Sequence, residues 1–549
     1  MNRRTRVRAA VVAVAVVGLV ARVVALGGRP FHWEEARVGY WALRFAESGV
    51  YEYRPVTGGP LVYLLDRWTF ALLGASDATA RLPVALIGGL APLIALTFRG
   101  PLRDGETVAL AGVLAAEPLL VYYSRFLRGD VPAAVAGLLV VGALVRFRAD
   151  DDGRWLSVAA LALAVALAAS GFAVAYPLVW LGAGLLTLDE ARIRGAPDAA
   201  ARSLSVGLER AVAAATPLAR AGLVFLVAAF VLFAPRSAGA APGLWSPTTW
   251  PAVADAAFAG ALDRFVGYRV VYRLQPTTPG RHALIPYLAA VVRTLLAVSL
   301  VTCVAAAVGF FSERYAASRR RLVSFAGYAV PVGLFVFAVA ARSRGPWIAV
   351  HILPLAAIPA AVAVARGWRV VRRRAKTTDR AADPARIALA VALVGGAVAV
   401  AAAPVAGVYT PPERGSPYVQ YAQPADDPEE LLPAMRAAIA NTNSPTDGVD
   451  VVYVGSRFDT SREYDRPPVQ AADRRAWGAR FPLPWYFERL DAAVTSVPDA
   501  GSLPADPAIV VTTPARAGGV AERLGRDYTR VRLQLAVYDR TVVVFLHRS

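Results

Sequence analysis

The amino-acid sequence predicts a polytopic α-helical membrane protein of about 11 transmembrane helices, with a small α/β domain at its C-terminal end. Three observations carry that expectation. Hydrophobic residues make up 56% of the 549-residue chain and mean hydropathy is +0.45, above the usual share for soluble domains. Apolar runs of about 20 residues recur through the first 407 positions, each long enough to cross a ~30 Å hydrocarbon core. From residue 408 the composition turns Pro-rich and mixed in charge. The chain therefore divides into a membrane region, 1–407, and a water-soluble domain, 408–549.

Taken in order, the spans fall at 7–27, 80–99, 107–123, 130–147, 154–169, 171–188, 218–236, 284–311, 322–341, 346–366 and 387–407. Ser170-Gly171 is the only turn signal between the fifth and sixth. The run 61–73 is too short to cross and contains Asp66-Arg67, so it reads as an interfacial or re-entrant helix. The first span has a basic start but lacks a small-x-small cleavage site, which fits an uncleaved signal-anchor.

The formal charge of +19 looks at first like a nucleic-acid footprint. Its distribution excludes that partner: residues 408–549 hold 16 Arg and 18 Asp/Glu, a net of −2, so the excess lies in clusters between apolar runs. The densest are Arg3/Arg4/Arg6/Arg8, Arg314/Arg319/Arg320/Arg321 and Arg366 through Arg380. Even numbers of spans separate them, so all three share one face, and the positive-inside rule makes that face cytoplasmic. A multi-pass protein of the plasma membrane follows, with its C-terminal domain extracytoplasmic. Cys303 is the sole cysteine and lies inside an apolar run, which excludes an intrachain disulfide and a Cys-based metal site. No cofactor motif is present. Lys376 is the only lysine among 59 basic residues, a bias that points to a GC-rich prokaryotic genome such as that of a salt-adapted archaeon.

With this topology the loops 28–79, 124–129 and 237–283 face outward. The first reads FHWEEARVGYWALRFAESGVYEYRPVTGGPLVYLL and sets Glu34 and Glu35 at the membrane exit, beside His32. An amphipathic helix follows, its apolar side made by Ala36, Gly39, Tyr40, Leu43 and Phe45. A carboxylate so placed is a candidate general base for an acceptor hydroxyl; the pair also reads as the acidic first turn of a helix. The loop YYSRFLRGD gathers Tyr122, Tyr123, Arg125, Arg128 and Asp130. Two arginines on the outer side run against the positive-inside trend, and a lipid phosphate suits their bidentate donors. Asp130 orients an arginine or shares the acid/base role. Arg342 and Arg344 open a further span, and His351 lies one to two turns inside it, a functional candidate or a satisfied core histidine. In loop 237–283, aromatics interleave with arginines, as sugar stacking or an interfacial belt requires. The loop 189–217 shows no site, and the spans show no inverted repeat of the kind transporters use.

The C-terminal domain predicts helices at 427–440 and 517–525, strands at 449–454 and 508–512, and a hairpin at 529–546. It has no nucleotide-binding motif. Trp485 and Tyr486 in FPLPWYFERL read as a rigid aromatic loop that caps the membrane cavity, binds glycan, or packs on its own domain.

The order of these features resembles the GT-C glycosyltransferases, the superfamily of protein O-mannosyltransferases and aminoarabinose transferases. More closely, EEARVGYWALRFAESGVYEYRPVTGGPL, YYSRFLRGD, PWIAVHILP and FPLPWYF resemble an archaeal and bacterial family known as flippase-activity-associated, from haloarchaeal N-glycosylation. The resemblance implies a polyprenyl- or dolichyl-phosphate-linked sugar as donor, transfer on the outer face, and a glycan or protein acceptor. It places Glu34 at the base position, usually aspartate, and Glu35 at the glutamate that follows. Where relatives often have histidine before Gly-Pro, this chain has Gly58. A non-catalytic accessory in flipping or presenting lipid-linked sugars is the alternative function.

Overall fold

The computed structural model describes residues 2–56, 58–193, 205–207, 209, 212–237, 242–271, 284–316, 319–340, 345–374, 396, 407, 409, 417–418, 423–441, 448–460, 467, 471–536 and 540–548. A helical bundle occupies the N-terminal two-thirds. It opens with α1 (Arg3–Val23), then α2 (Trp33–Ser48) and α3 (Pro60–Leu73). There follow α4 (Asp77–Leu90), α5 (Asp104–Ala116), α6 (Pro118–Ser124), α7 (Asp130–Asp150), α8 (Arg154–Ala169), α9 (Tyr176–Ile193) and α10 (Ala215–Phe233). Short α11 (Trp250–Ala257) and α12 (Ala259–Val266) lead to α13 (Leu284–Val298), α14 (Leu300–Arg314), α15 (Arg321–Ala340) and α16 (Leu353–Arg374).

Among the described residues six helical segments are long and apolar enough to cross a membrane, and the pairs α5/α6 and α13/α14 raise this to eight when each counts as one bent crossing. Arg-bearing α1 and the shorter α8 cover two more of the expected runs. The run 387–407 and the domain boundary after 407 lie outside the described residues, apart from Gly396 and Gly407.

One expected span is corrected. The continuous crossing at 284–311 is two helices that meet at 98°, and α5/α6 bend by 52°. Pro118 has no N–H to continue α5, so Glu117 caps α6 by accepting from the Leu120 N–H at 2.8 Å. The Ser299 hydroxyl at the other break donates to the same carboxylate. The two bends are thus tied to each other, a long-range contact that apolar periodicity does not encode.

All three basic clusters meet at one end of the bundle. Arg3 pairs with Asp104 at 2.6 Å, Arg320 with Glu106 and Glu313, and Arg366 with Glu313 at 2.6 Å. The C-terminal sheet domain sits at the opposite end. It comprises α17 (Leu432–Asn441), β1 (Val451–Val454), α18 (Ala471–Arg480), α19 (Leu483–Glu488), β2 (Val494–Val497), β3 (Ile509–Thr512), α20 (Ala517–Leu524), β4 (Tyr528–Gln534) and β5 (Thr541–His547). The sheet order is β2-β1-β3-β5-β4, with β1 parallel to both neighbours and β5 antiparallel to β3 and β4. β1 and β3 are buried along their whole length, which is why they read as continuous apolar runs. Half-buried β2 (VTSV) gives no such signal.

A second correction concerns FPLPWYF, which is a buried short helix rather than a loop: Pro482 is its N-cap and Pro484 lies in its first turn, where an N–H has no partner within the helix. Trp485 and Tyr486 are fully buried and face the bundle as well as their own domain. Asp77, the first residue of α4, accepts from Trp485 Nε1 at 2.7 Å and Tyr486 OH at 3.1 Å, and pairs with Arg489 at 3.4 Å. Trp485 also stacks on Phe31 with centroids 5.0 Å apart.

Candidate functional site

The site grows from the start of α2. His32 is its N-cap, with extended backbone, and its Nδ1 accepts from the Glu34 N–H at 3.0 Å. The Glu35 carboxylate reaches back to the His32 N–H at 3.1 Å, completing a capping box. Burial, helped by the charges of Arg29, Arg128 and Arg540, outweighs Glu35 and holds the His32 imidazole well below its usual range. A neutral ring is what an accepting Nδ1 requires.

Glu35 has no exposed surface. Arg81 grips it bidentately, Nε to Oε1 at 2.7 Å and Nη2 to Oε2 at 2.9 Å; Arg29 adds 2.9 Å to Oε2 and the Leu127 N–H 2.9 Å to Oε1. Burial alone would push this carboxyl up, but Arg29 and Arg81 hold it down at about 2. Glu35 is sealed, joining α2 to α4 and to the loop before α7.

Glu34, one residue earlier, is placed differently. Its side chain is 22% exposed, and its ion pairs with Arg37 (2.7 Å) and Arg128 (3.4 Å) both fall on Oε2. Oε1 has no partner among the described residues. The buried Arg37 Nε likewise has no acceptor among them. Arg128 lies over the Trp347 ring at 4.3 Å and donates from Nε to Asp130 Oδ2 at 2.7 Å. Buried Asp130, at the start of α7, takes the Ser170 hydroxyl at 3.1 Å and faces His351 Nε2 at 3.1 Å. His351 Nδ1 in turn meets Tyr176 OH at 2.7 Å. A continuous polar chain therefore runs from Arg37 through Glu34, Arg128, Asp130 and His351 to Tyr176 inside the bundle.

Two glycines permit this geometry. A Cβ on Gly129 would lie 1.8 Å from the Ala169 carbonyl oxygen, and one on Gly59 2.0 Å from that of Ala168. The RGD loop and the Gly-Pro element both rest on the backbone that ends α8.

The remaining candidates separate. Arg125 lines a cavity of about 100 Å³ with Arg29 and Tyr122, but its guanidinium closes the end of α1, donating to the carbonyls of Arg22, Val24 and Ala25. Tyr122 and Tyr123 are buried, Tyr122 against Tyr418 and Tyr123 against Phe126. Arg342 and Arg344 lie outside the described residues. Sequence reasoning missed Arg29, Arg37 and Arg81. Arg81 carries the signal used for Arg128: an arginine at the end of a span opposite the basic clusters. Among the described residues no three His, Cys, Asp or Glu side chains converge as a metal ion requires.

Two family models and several solved structures resemble parts or most of this chain. Residues 55–194 match the family Dolichyl-phosphate-mannose-protein mannosyltransferase, and residues 430–547 match the Agl23 flippase-associated protein C-terminal domain. Among solved structures, ArnT from Cupriavidus metallidurans bound to undecaprenyl phosphate is similar at 18% identity and a TM-score of 0.60, with 97% of each chain covered. The archaeal oligosaccharyltransferase AglB from Archaeoglobus fulgidus, in complex with an inhibitory peptide and a dolichol-phosphate, is similar at 12% identity and a TM-score of 0.51, covering 93% of this chain and 70% of that one. No curated protein matches. The chain is a multi-pass membrane protein that shares the fold of ArnT over 97% of its length, with residues 55–194 and 430–547 similar to the two matched families.

Proposed function

We propose that the protein transfers a sugar from a polyprenyl- or dolichyl-phosphate carrier to a glycan or protein acceptor on the extracytoplasmic face of the plasma membrane. The observation that carries this reading is Glu34: a partly exposed carboxylate whose Oε1 is open, held by two guanidiniums, at the mouth of a buried polar chain. The basic clusters at the other end of the bundle support the orientation.

In the step, the acceptor hydroxyl oxygen attacks the anomeric carbon while the bond from that carbon to the phosphate oxygen breaks. Glu34 Oε1 takes the hydroxyl proton, and the lipid phosphate leaves with the bonding pair. Direct attack inverts the anomeric centre. Arg37 and Arg128 neutralise charge on the departing phosphate, and Asp130 with His351 keeps Arg128 in place. Glu35 acts as a positioning residue through Arg29 and Arg81, and Arg125 by closing α1.

The test is a strain lacking this protein, complemented with wild type, Glu34→Gln or Glu34→Asp. Its surface-protein glycans and lipid-linked precursors are profiled by mass spectrometry. Transfer predicts a missing sugar with its lipid-linked donor accumulating, restored by Glu34→Asp and not by Glu34→Gln. Full complementation by Glu34→Gln sinks the proposal in favour of the accessory role.

A further inference from the structure

We infer that α11 and α12 are seated in the membrane surface: their exposed apolar face lies in the outer leaflet against phospholipid, and it holds the loop 50–56 at that depth.

Phe258, at the N-cap of α12, and Leu262 and Val266 within it recur every fourth residue and are all exposed, Leu262 at 63%. That spacing puts them on one stripe of the helix. Trp245, shortly before α11, and Trp250, its first residue, are exposed as well. The Trp250 indole N–H is already used on the Leu244 carbonyl at 3.1 Å, so its ring is left as apolar surface. Leaving such surface in water forgoes about 25 cal/mol for each Å² that burial would cover. An apolar stripe accompanied by tryptophan suits the boundary between lipid headgroups and acyl chains.

The bilayer is the occupant because this face continues one that already meets it. α10 is long and apolar enough to cross a membrane, and its Leu223, Leu226, Val227 and Val231 are exposed. Phe230, in the last turn of α10, meets Trp250 at 6.1 Å and Phe258 at 6.4 Å between ring centroids. Those contacts carry the spanning face onto α11 and α12. Leu244, Val253 and Ala257 also close with Ala234 over the end of α10, which seats α11 on the span itself.

The opposite side of α12 is tied to the protein. Arg264, about 200° from Leu262 around the helix, pairs with Glu52 at 2.9 Å. Tyr51 and Arg236 exchange two backbone hydrogen bonds of 2.7 Å, and Tyr53 meets the Phe233 ring edge-on at 5.1 Å. The loop 50–56 lies between α2, which bears Glu34, and Gly59 at the N-cap of α3. The depth of α12 in the leaflet therefore sets the height of that loop.

The variants Phe258→Cys, Leu262→Cys, Leu223→Cys and Glu522→Cys are each made in a Cys303→Ala background, spin-labelled, and placed as full-length protein in phosphatidylglycerol nanodiscs. Power-saturation EPR compares collision with oxygen, which concentrates in lipid, and with a water-soluble nickel chelate. Leu223 on α10 is the lipid reference, and exposed Glu522 on α20 is the water reference. The oxygen-to-nickel ratio at 258 and 262 should approach that at 223 and exceed that at 522 several-fold. A ratio like that at 522 places the face in water, and shielding from both reagents places it against protein, such as a second copy; either overturns the inference. In the same nanodiscs Phe258→Asp/Leu262→Asp, whose carboxylates are costly at that depth, should speed hydrogen exchange at the backbone of 50–56 several-fold and leave α7 unchanged. Unchanged exchange at 50–56 refutes the hold on the loop. Should the double variant misfold, Leu262→Ser replaces it in the exchange measurement, read in the same way.

Discussion

Replacing Glu35 by glutamine should destabilise the protein, whereas the same change at Glu34 should remove its activity. Glutamine at 35 leaves the guanidinium of Arg81, with no exposed side-chain surface, and that of Arg29 without their counter-charge. Breaking one side of a buried ion pair costs about 3–5 kcal/mol. The hold of Arg29 and Arg81 on the carboxyl points to the same size: lowering it from 4.5 to about 2 is worth about 3 kcal/mol at ~1.4 kcal/mol per pH unit. Because the folded value is depressed, this contribution is complete above the unfolded value of 4.5 and is lost as pH falls through about 2. Thermal melting in detergent followed by tryptophan fluorescence checks it. At pH 7 Glu35→Gln should melt ~6–12 °C below wild type, at ~2–4 °C per kcal/mol for a cooperative unit of 150–250 residues. The gap should narrow as pH is lowered from 4.5 toward 2. Glu34→Gln, with its exposed edge, should melt near wild type yet lose ~10²–10⁴ in transfer rate, the range of a general base. A Glu35→Gln protein that melts like wild type, or a gap that does not change with acid, would refute the assignment of Glu35 as the sealed member of the pair.

Other outcomes follow from the same contacts. His351→Phe keeps the ring but removes both polar contacts, to Asp130 and Tyr176; transfer should fall at least tenfold, with KM for the lipid-linked donor rising if Arg128 is what His351 serves. Gly129→Ala should lower the melting temperature, because its methyl meets the Ala169 carbonyl rather than a side chain that can rotate away; an unchanged melting curve would mean the loop relaxes freely. Arg125→Ala uncovers the carbonyls that end α1 and should cost about 2–3 kcal/mol of stability, while anionic-lipid binding stays as in wild type; a loss of lipid binding without a loss of stability would restore Arg125 to the phosphate site.

The membrane region was legible because a crossing leaves a length-limited apolar run that local sequence states directly. The polar residues at span ends were legible one at a time: Glu34, Asp130 and His351 each stand where an ionisable group needs a reason. Their assembly into one chain was not, since Asp130 and His351 are 221 positions apart. Nor was the difference between Glu34 and Glu35. Adjacent helical positions differ by about 100° around the axis, so one carboxylate faces Arg81 and the other Arg37 and Arg128, and only packing says which. The bend at Ser299 and the burial of Trp485 share this cause. Each depends on a partner from a distant element, Glu117 in one case and Asp77 in the other.

Asp77 also ties the C-terminal sheet domain to the bundle beside α2. α2 lies between the bundle, which it meets through Glu35 and Arg81, and the sheet domain, which it meets through Trp33–Gly478 and Arg44–Glu488 at 3.2 Å. Asp77 fixes the second layer by accepting from Trp485 and Tyr486, and Trp485 stacks on Phe31, the residue before the His32 cap. Asp77→Leu would leave an indole N–H, a phenol and Arg489 without that acceptor. Hydrogen bonds to a charged group contribute about 1.5–3 kcal/mol each, enough to open the interface without unfolding either layer. Hydrogen exchange at the backbone of 483–490 should then accelerate in Asp77→Leu, the exchange of α7 should stay unchanged, and transfer should fall. Asp77→Asn, which retains an acceptor, should recover part of each. Undisturbed exchange at 483–490 in Asp77→Leu would show that apolar burial of Trp485 holds the layers together without the carboxylate, and that the position of Glu34 is set by the bundle alone.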